Sequence, residues 1–160
     1  MSTLEARLAA LEGEVAALRA VNDVRGVLSQ YAIGVDEKRP HVLRPLFATD
    51  AVLGVPAWAV EVRGLDAIMA FFENYWRRFD HPRRYYANED IKVNGDRATA
   101  FMYWHVTQEL GADSVLGWGT YEWAFHKAGG RWLIEREVVH IRAMTTLAEG
   151  WAGKATPMQL

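Results

Sequence analysis

A phenol at Tyr31 and a carboxylate at Asp36, five residues apart near the end of a helical stretch, are side chains of types that can do acid-base work. Tyr31 continues the apolar face of Val24, Val27 and Leu28, where a phenol stays buried only if its hydroxyl finds a partner in the protein or in a substrate. Asp36 lies about 140° further round an ideal helix, so the two share a face only if the helix loosens near Gly34. Otherwise Asp36, beside Glu37, Lys38 and Arg39, is ordinary solvated surface. His105 closes the run Phe101-Met102-Tyr103-Trp104-His105, on the same sheet face as Phe101 and Tyr103 by alternation. Imidazole is the side chain best poised near neutral pH for proton transfer, and a buried carboxylate beside it would orient the ring and raise its basicity.

Other candidates stand at the rim of this set. His81, before Pro82, opens the loop into the second half of the chain and could reach a cavity mouth or simply serve the turn. Arg142 shares parity with His140 and could pair a substrate oxygen or form a structural ion pair. Tyr103 and Trp118 are ring candidates for contact with a substrate. Gly117-Trp118-Gly119 inside a strand marks a bulge or a close approach.

Stronger signals are missing. No two histidines sit with a carboxylate at metal-ligand spacing, no glycine-rich phosphate loop occurs, and no serine lies in a nucleophile elbow. The absence of cysteine excludes disulfides, thiol nucleophiles and thiolate-held metals. With 18 basic and 20 acidic residues and a net charge of -2, no basic stripe is available to follow nucleic acid. No segment approaches the roughly 20 apolar residues of a membrane span, and charges interrupt the N-terminus where a signal peptide would be apolar. A cytoplasmic protein is the default expectation.

The elements that must position these residues follow from periodicity. Ser2-Thr3-Leu4-Glu5 has the order of a capping box, and Leu4, Leu8, Leu11, Val15 and Leu18 then recur at alternating spacings of four and three. That stripe is either an oligomer seam, in a dimer or trimer, or a face packed on the chain's own body. The helical face continues to about Asp36. A short helical piece at 42–47, a short strand at 51–55 and an amphipathic helix at 65–79 come next. Beyond Pro82 the period becomes alternating: strands at 85–93, 97–109, 115–126 and 131–145 form an antiparallel meander, the first two joined at Asn94-Gly95. Helices first and a meander afterwards predict an α+β domain, a curved sheet packed with helices around a pocket. The expected organisation is a helical extension over 1–20, the pocketed domain over 21–148 and a tail over 149–160.

The runs Tyr31-Ala32-Ile33-Gly34-Val35-Asp36, Leu46-Phe47-Ala48-Thr49-Asp50-Ala51, Gly64-Leu65-Asp66-Ala67-Ile68, Asn94-Gly95-Asp96-Arg97-Ala98-Thr99-Ala100 and Gly130-Arg131-Trp132 resemble the SnoaL-like branch of the nuclear-transport-factor-2-like superfamily. The branch is similar to scytalone dehydratase and bile-acid 7α-dehydratase, and the Ile33-Gly34-Val35-Asp36 run looks like hexachlorocyclohexane dehydrochlorinase. The resemblance implies a cone-shaped fold around a deep pocket, usually without a metal or organic cofactor. It places Tyr31 and Asp36 at the pocket with His105 paired to Asp36. A further histidine would stand four residues before Asn88, a candidate substrate contact, but that position holds Arg84.

The resulting expectation is a cofactor-independent lyase, a dehydratase acting on a cyclic or aromatic hydroxylated small molecule. Catalysis would rest on Tyr31, Asp36, His105 and His81, with Arg142, Asn88, Tyr103 and Trp118 as substrate contacts. Ketosteroid isomerase is the nearest rival, but its aspartate falls where this chain has Val55. Polyketide cyclisation and a non-catalytic binding or assembly module are the other readings.

Overall fold

The structure, a computed structural model, describes residues 3–152. Its first element is a single long helix, α1 (Leu4–Asp36), capped by Thr3, whose Oγ1 accepts the Ala6 amide at 3.3 Å. The expected cap partner Ser2 lies outside the described residues. The last turn closes through Glu37 N–H to the Ile33 carbonyl at 3.0 Å and Arg39 N–H to the Gly34 carbonyl at 2.8 Å. The chain then turns sharply at Lys38, whose φ is +52°. Gly34 does not loosen α1, which stays helical through Asp36. A Cβ at Gly34 would lie 3.0 Å from that of Leu43, so glycine serves the close approach of α2 (Pro40–Leu43).

A 3₁₀ turn over Arg44–Leu46 leads into β1 (Phe47–Val55), a second turn over Pro56–Trp58 into the short β2 (Val60–Arg63), and α3 (Leu65–Arg78) follows. Four long strands complete the chain: β3 (Asp80–Asn94), β4 (Arg97–Leu110), β5 (Asp113–Ala128) and β6 (Arg131–Thr146). The expected four-stranded meander is thus the larger part of a six-stranded sheet, in the order β2-β1-β6-β5-β4-β3. All neighbours are antiparallel except β1 and β6, which run parallel because β1 enters the sheet beside the last strand. The β3–β4 hairpin closes on the pair Asn94 and Arg97, so its two loop residues are Gly95-Asp96, one position later than expected.

The second half of α1 and the apolar face of α3 pack across one face of this curved, unclosed sheet. Val24, Leu28, Tyr31 and Val35 are buried from α1, and Ile68, Met69, Phe72 and Tyr75 from α3. Each fully buried side chain of this size contributes about 1.5–3 kcal/mol, and the layer of such contacts holds the helices on the sheet. Two polar links fix the α1 terminus against α3: Trp76 Nε1–H donates to the Val35 carbonyl at 2.8 Å, and Lys38 Nζ donates to the Trp76 carbonyl at 2.8 Å.

β6 carries two irregularities. Between Ile134 and Arg136 the register against β5 slips by one residue at Glu135, and it slips again at Arg142. Each slip reverses which alternate side chains face the helices. The second lies opposite Gly119, where a Cβ would overlap the His140 carbonyl oxygen at 1.8 Å, so only glycine fits.

Candidate active site

Tyr31 is 1 % exposed, and its hydroxyl donates to Glu137 Oε1 at 2.5 Å, across from α1 to β6. The ring is wedged among Phe47, Phe72, Tyr121 and Trp123, with the Trp123 centroid 4.9 Å away in an edge arrangement. Glu137 is completely buried, and its Oε2 has no hydrogen-bond partner among the described residues. A carboxyl in such a place holds its proton because no solvent stabilises the anion. Burial pushes the Glu137 carboxyl up to about 8, against the smaller opposing effects of the Tyr31 hydrogen bond and the Arg84 charge. Burial, then the neighbouring Glu137, likewise holds the Tyr31 hydroxyl well above the ordinary phenol range.

A second carboxylate is treated differently. Asp36 accepts the Arg84 backbone N–H on Oδ2 at 2.7 Å and the Arg84 Nε–H on Oδ1 at 2.5 Å. Both side chains are nearly sealed, at 7 % exposure for Arg84 and 11 % for Asp36. Arg84 sends its remaining donors inward, Nη2 to the Tyr75 hydroxyl at 3.2 Å and Nη1 to the Tyr121 hydroxyl at 3.4 Å. Burial works against the guanidinium charge, but Tyr75, Tyr121 and Asp36 outweigh it and hold Arg84 well above its ordinary value. Tyr75 in turn donates to Gln108 Oε1. Burial raises Tyr75 and Tyr121, with Arg84 opposing.

These groups meet at one cavity between α3 and the sheet. Tyr31, Tyr75, Arg84, Tyr121 and Glu137 supply its polar atoms, and Val55, Phe71, Phe72, Trp104, Val106 and Met144 most of its apolar wall. About 50 Å³ is open to the centre of a water molecule, room for a few waters, so a cyclic ligand enters only if wall rings move aside. Trp58, Phe71, Val139 and Ile141 are the half-buried apolar lining residues and mark the side nearest solvent. The arrangement offers a proton acceptor or donor at Glu137 and a positive, hydroxyl-rich wall at Arg84 that suits developing negative charge on an oxygen. Among the described residues, no group of three or more His, Asp or Glu side chains is placed to hold a metal ion.

Of the residues singled out in the sequence, Tyr31 lines the cavity and Asp36 reaches it through Arg84. His105 does not pair with Asp36. On β4 the residues Ala98, Ala100, Met102, Trp104, Val106 and Gln108 face the helices, which puts His105 on the exposed outer face with Tyr103. Alternation grouped His105 with Phe101 and Tyr103 correctly, but an aromatic lies on either parity and burial falls to the other set. Trp118 also lies on the outer face, edge-on to Trp151 at 5.6 Å. Asn88 is exposed at the β3 irregularity with φ +57°, and Arg142 is the exposed extra residue of the second β6 slip. His81 is exposed, with Nδ1 3.0 Å from Glu109 Oε2. None of these six lines the cavity.

Glu137 and Arg84 are what the sequence reading missed. Counting back from Asn88 reached Arg84, but as a gap rather than a member. For Glu137 a signal exists: apolar parity on the last strand is even at Trp132 and Ile134 and odd at Val139 and Ile141. That change requires a slip between them and turns Glu137 inward.

Helices closed over a curved sheet, with a polar cluster deep in an apolar cavity, define a pocketed α+β cone. Over residues 16–137 the sequence matches the SnoaL-like domain, and the chain belongs to that family. Among solved structures it is similar to a type 2 hexachlorocyclohexane dehydrochlorinase, LinA, with a TM-score of 0.79 at 18 % identity, covering 92 % of this chain and 96 % of that one. The type 3 LinA from Novosphingobium barchaimii gives 0.78 at 19 %, covering 92 % and 97 %. A scytalone dehydratase-like protein from Novosphingobium aromaticivorans gives 0.74 at 19 %, covering 88 % and 94 %. Likeness at these identities is a likeness of fold. No curated protein matches the chain in sequence.

Proposed function

We propose that this chain is a cofactor-independent lyase that removes a proton from carbon and expels a neighbouring leaving group from a small cyclic or aromatic molecule, with dehydration as the favoured form. The observation that carries the reading is Glu137: a fully buried carboxyl on the cavity wall with one oxygen held by Tyr31 and the other unpartnered among the described residues. A base whose proton affinity lies near neutrality is matched to such a transfer. In the step proposed, ionised Glu137 takes the proton through Oε2, the electron pair of the broken C–H bond becomes the new C=C bond, and the hydroxyl or halide leaves with its own bonding pair. Arg84 and the Tyr121 hydroxyl stabilise that departing charge or an intervening enolate, and the acquired proton returns to the leaving group or to solvent. Asp36 holds Arg84 in place. The dehydrochlorinase and dehydratase-like names of the structural neighbours lend the reaction class support.

In this reading the proton goes to Glu137 rather than to His105. A non-catalytic pocket protein is the second reading, favoured by the small cavity and by the ion pair at Asp36 where a histidine partner is expected. Native mass spectrometry identifies the small molecule that co-purifies, and that molecule in D₂O with the chain then distinguishes the two. Deuterium on carbon, or release of the leaving group, in the wild type and its loss in Glu137→Gln support the lyase. Binding with no exchange supports the pocket protein, and equal exchange in Glu137→Gln removes Glu137 from the mechanism.

A further inference from the structure

Every residue from Thr3 to Arg19 is exposed, so the first half of α1 projects free of the body. Its stripe is apolar nonetheless: Leu4, Leu8, Leu11, Val15 and Leu18 are between 43 and 81 % exposed. The stripe therefore does not pack on its own body. A short helix standing alone in water is marginal even with good helix formers, and this one carries Gly13. Something must cover the leucines.

The spacing identifies what fits. Steps of four and three keep Leu4, Leu11 and Leu18 at d and Leu8, Val15 and Asn22 at a of a heptad, the seam that packs against another helix with the same period. A β-branched a residue with leucine at d favours two strands, and an asparagine at a fixes register and strand number. The flanking charges then choose the partner. The g positions are Arg7, Glu14 and the uncharged Val21, and the e positions are Glu5, Glu12 and Arg19, Glu5 having no g residue before it within the stripe. In a parallel pair of identical chains, Arg7 of one copy falls opposite Glu12 of the other, and Glu14 opposite Arg19. Both pairings are attractive, and each occurs twice by symmetry. In an antiparallel pair e faces e and g faces g, so Glu12 meets its own kind where the helices centre on it.

Geometry leaves room for the second copy. At roughly 100° per residue, the seam points roughly 150° away from the direction of Val24, Leu28, Tyr31 and Val35, which face the body. Two bodies would sit on opposite outer sides of the paired helices. We infer that the N-terminal half of α1 joins two copies of this chain as a parallel, in-register coiled coil with its seam at Leu4, Leu8, Leu11, Val15, Leu18 and Asn22.

Sedimentation equilibrium of the full chain from micromolar to hundred-micromolar concentration tests this. The wild type should associate, and Leu11→Lys/Leu18→Lys should halve its mass, weakening the pair at least tenfold while the near-ultraviolet circular dichroism of the body stays unchanged. Direction is read by charge exchange. E12R/R19E and R7E/E14R chains should each associate at least tenfold more weakly, and their equal mixture should regain wild-type strength. A wild-type mass of one chain throughout, a mass unmoved by the leucine substitutions, or a fall to one third overturns the inference. E12R/R19E that associates like the wild type overturns the parallel register.

Discussion

Two carboxylates serve the same cavity, Glu137 on its wall and Asp36 behind Arg84, and they are handled in opposite ways. Asp36, at the end of α1, takes the Arg84 guanidinium on Oδ1 and the Arg84 backbone N–H on Oδ2, and Arg84 is tied in turn to Tyr75 and Tyr121. Glu137, in the middle of β6, has a phenol on one oxygen and, among the described residues, no partner on the other. The first arrangement neutralises a charge and fixes a side chain. The second leaves a proton loosely committed, and that is the condition chemistry requires. A buried carboxylate is thus a weak sign of function until its partners are known.

The largest expected effect is on alkaline stability. Unfolding returns Glu137 from about 8 to its ordinary value of 4.5, so between those limits the folded state binds more protons. Stability from this group is complete below 4.5, declines as pH rises to 8 and is level above. The full loss is bounded near ~5 kcal/mol, at about 1.4 kcal/mol for each unit of pKa. Glu137→Gln removes the titration, so urea denaturation at a series of pH values should show the variant gaining on the wild type as pH rises, to several kcal/mol at pH 9. A difference independent of pH would mean that Glu137 is ionised at neutrality.

The Asp36 pair is tested by substitution. Asp36→Asn or Arg84→Met alone leaves a buried charge unmatched and should cost about 3–5 kcal/mol, whereas the double replacement should recover much of that loss. Chemical denaturation of the four proteins closes the cycle, and additive losses would show that the pair is not coupled. Tyr31→Phe comes next. It removes a single buried hydrogen bond, costs about 1–3 kcal/mol, and should raise Glu137 further because its one donor is gone. The smallest effect belongs to His105→Ala, expected within about 0.5 kcal/mol of the wild type and without influence on Glu137, since His105 is on the outer face.

Much of the fold could be read from pattern alone. The three-and-four spacing of Ile68, Phe72, Tyr75 and Phe79, the change of period after Pro82 and the Gly-containing hairpins gave element order and type, because these signals are local. The strand β2 escaped, since four residues of alternating exposure carry little pattern and are ordered by pairing with β1. The site was half legible. Tyr31 showed itself through the apolar face it shares. His105 was misplaced because β4 has aromatic residues on both parities, and which face meets the helices is decided by tertiary packing. Glu137 was hidden by the slip at Glu135, which breaks the alternation from which inward residues are counted.

The proposed chemistry depends on the protonation of Glu137, and the carboxyl carbons of uniformly ¹³C-labelled protein report it directly by NMR. Comparison with Glu137→Gln assigns the resonance, and a pH series gives its midpoint. A titration centred near 8, shifted upward in Tyr31→Phe, is the predicted result. A midpoint near 4.5, the ordinary value for a solvated glutamate, would contradict it.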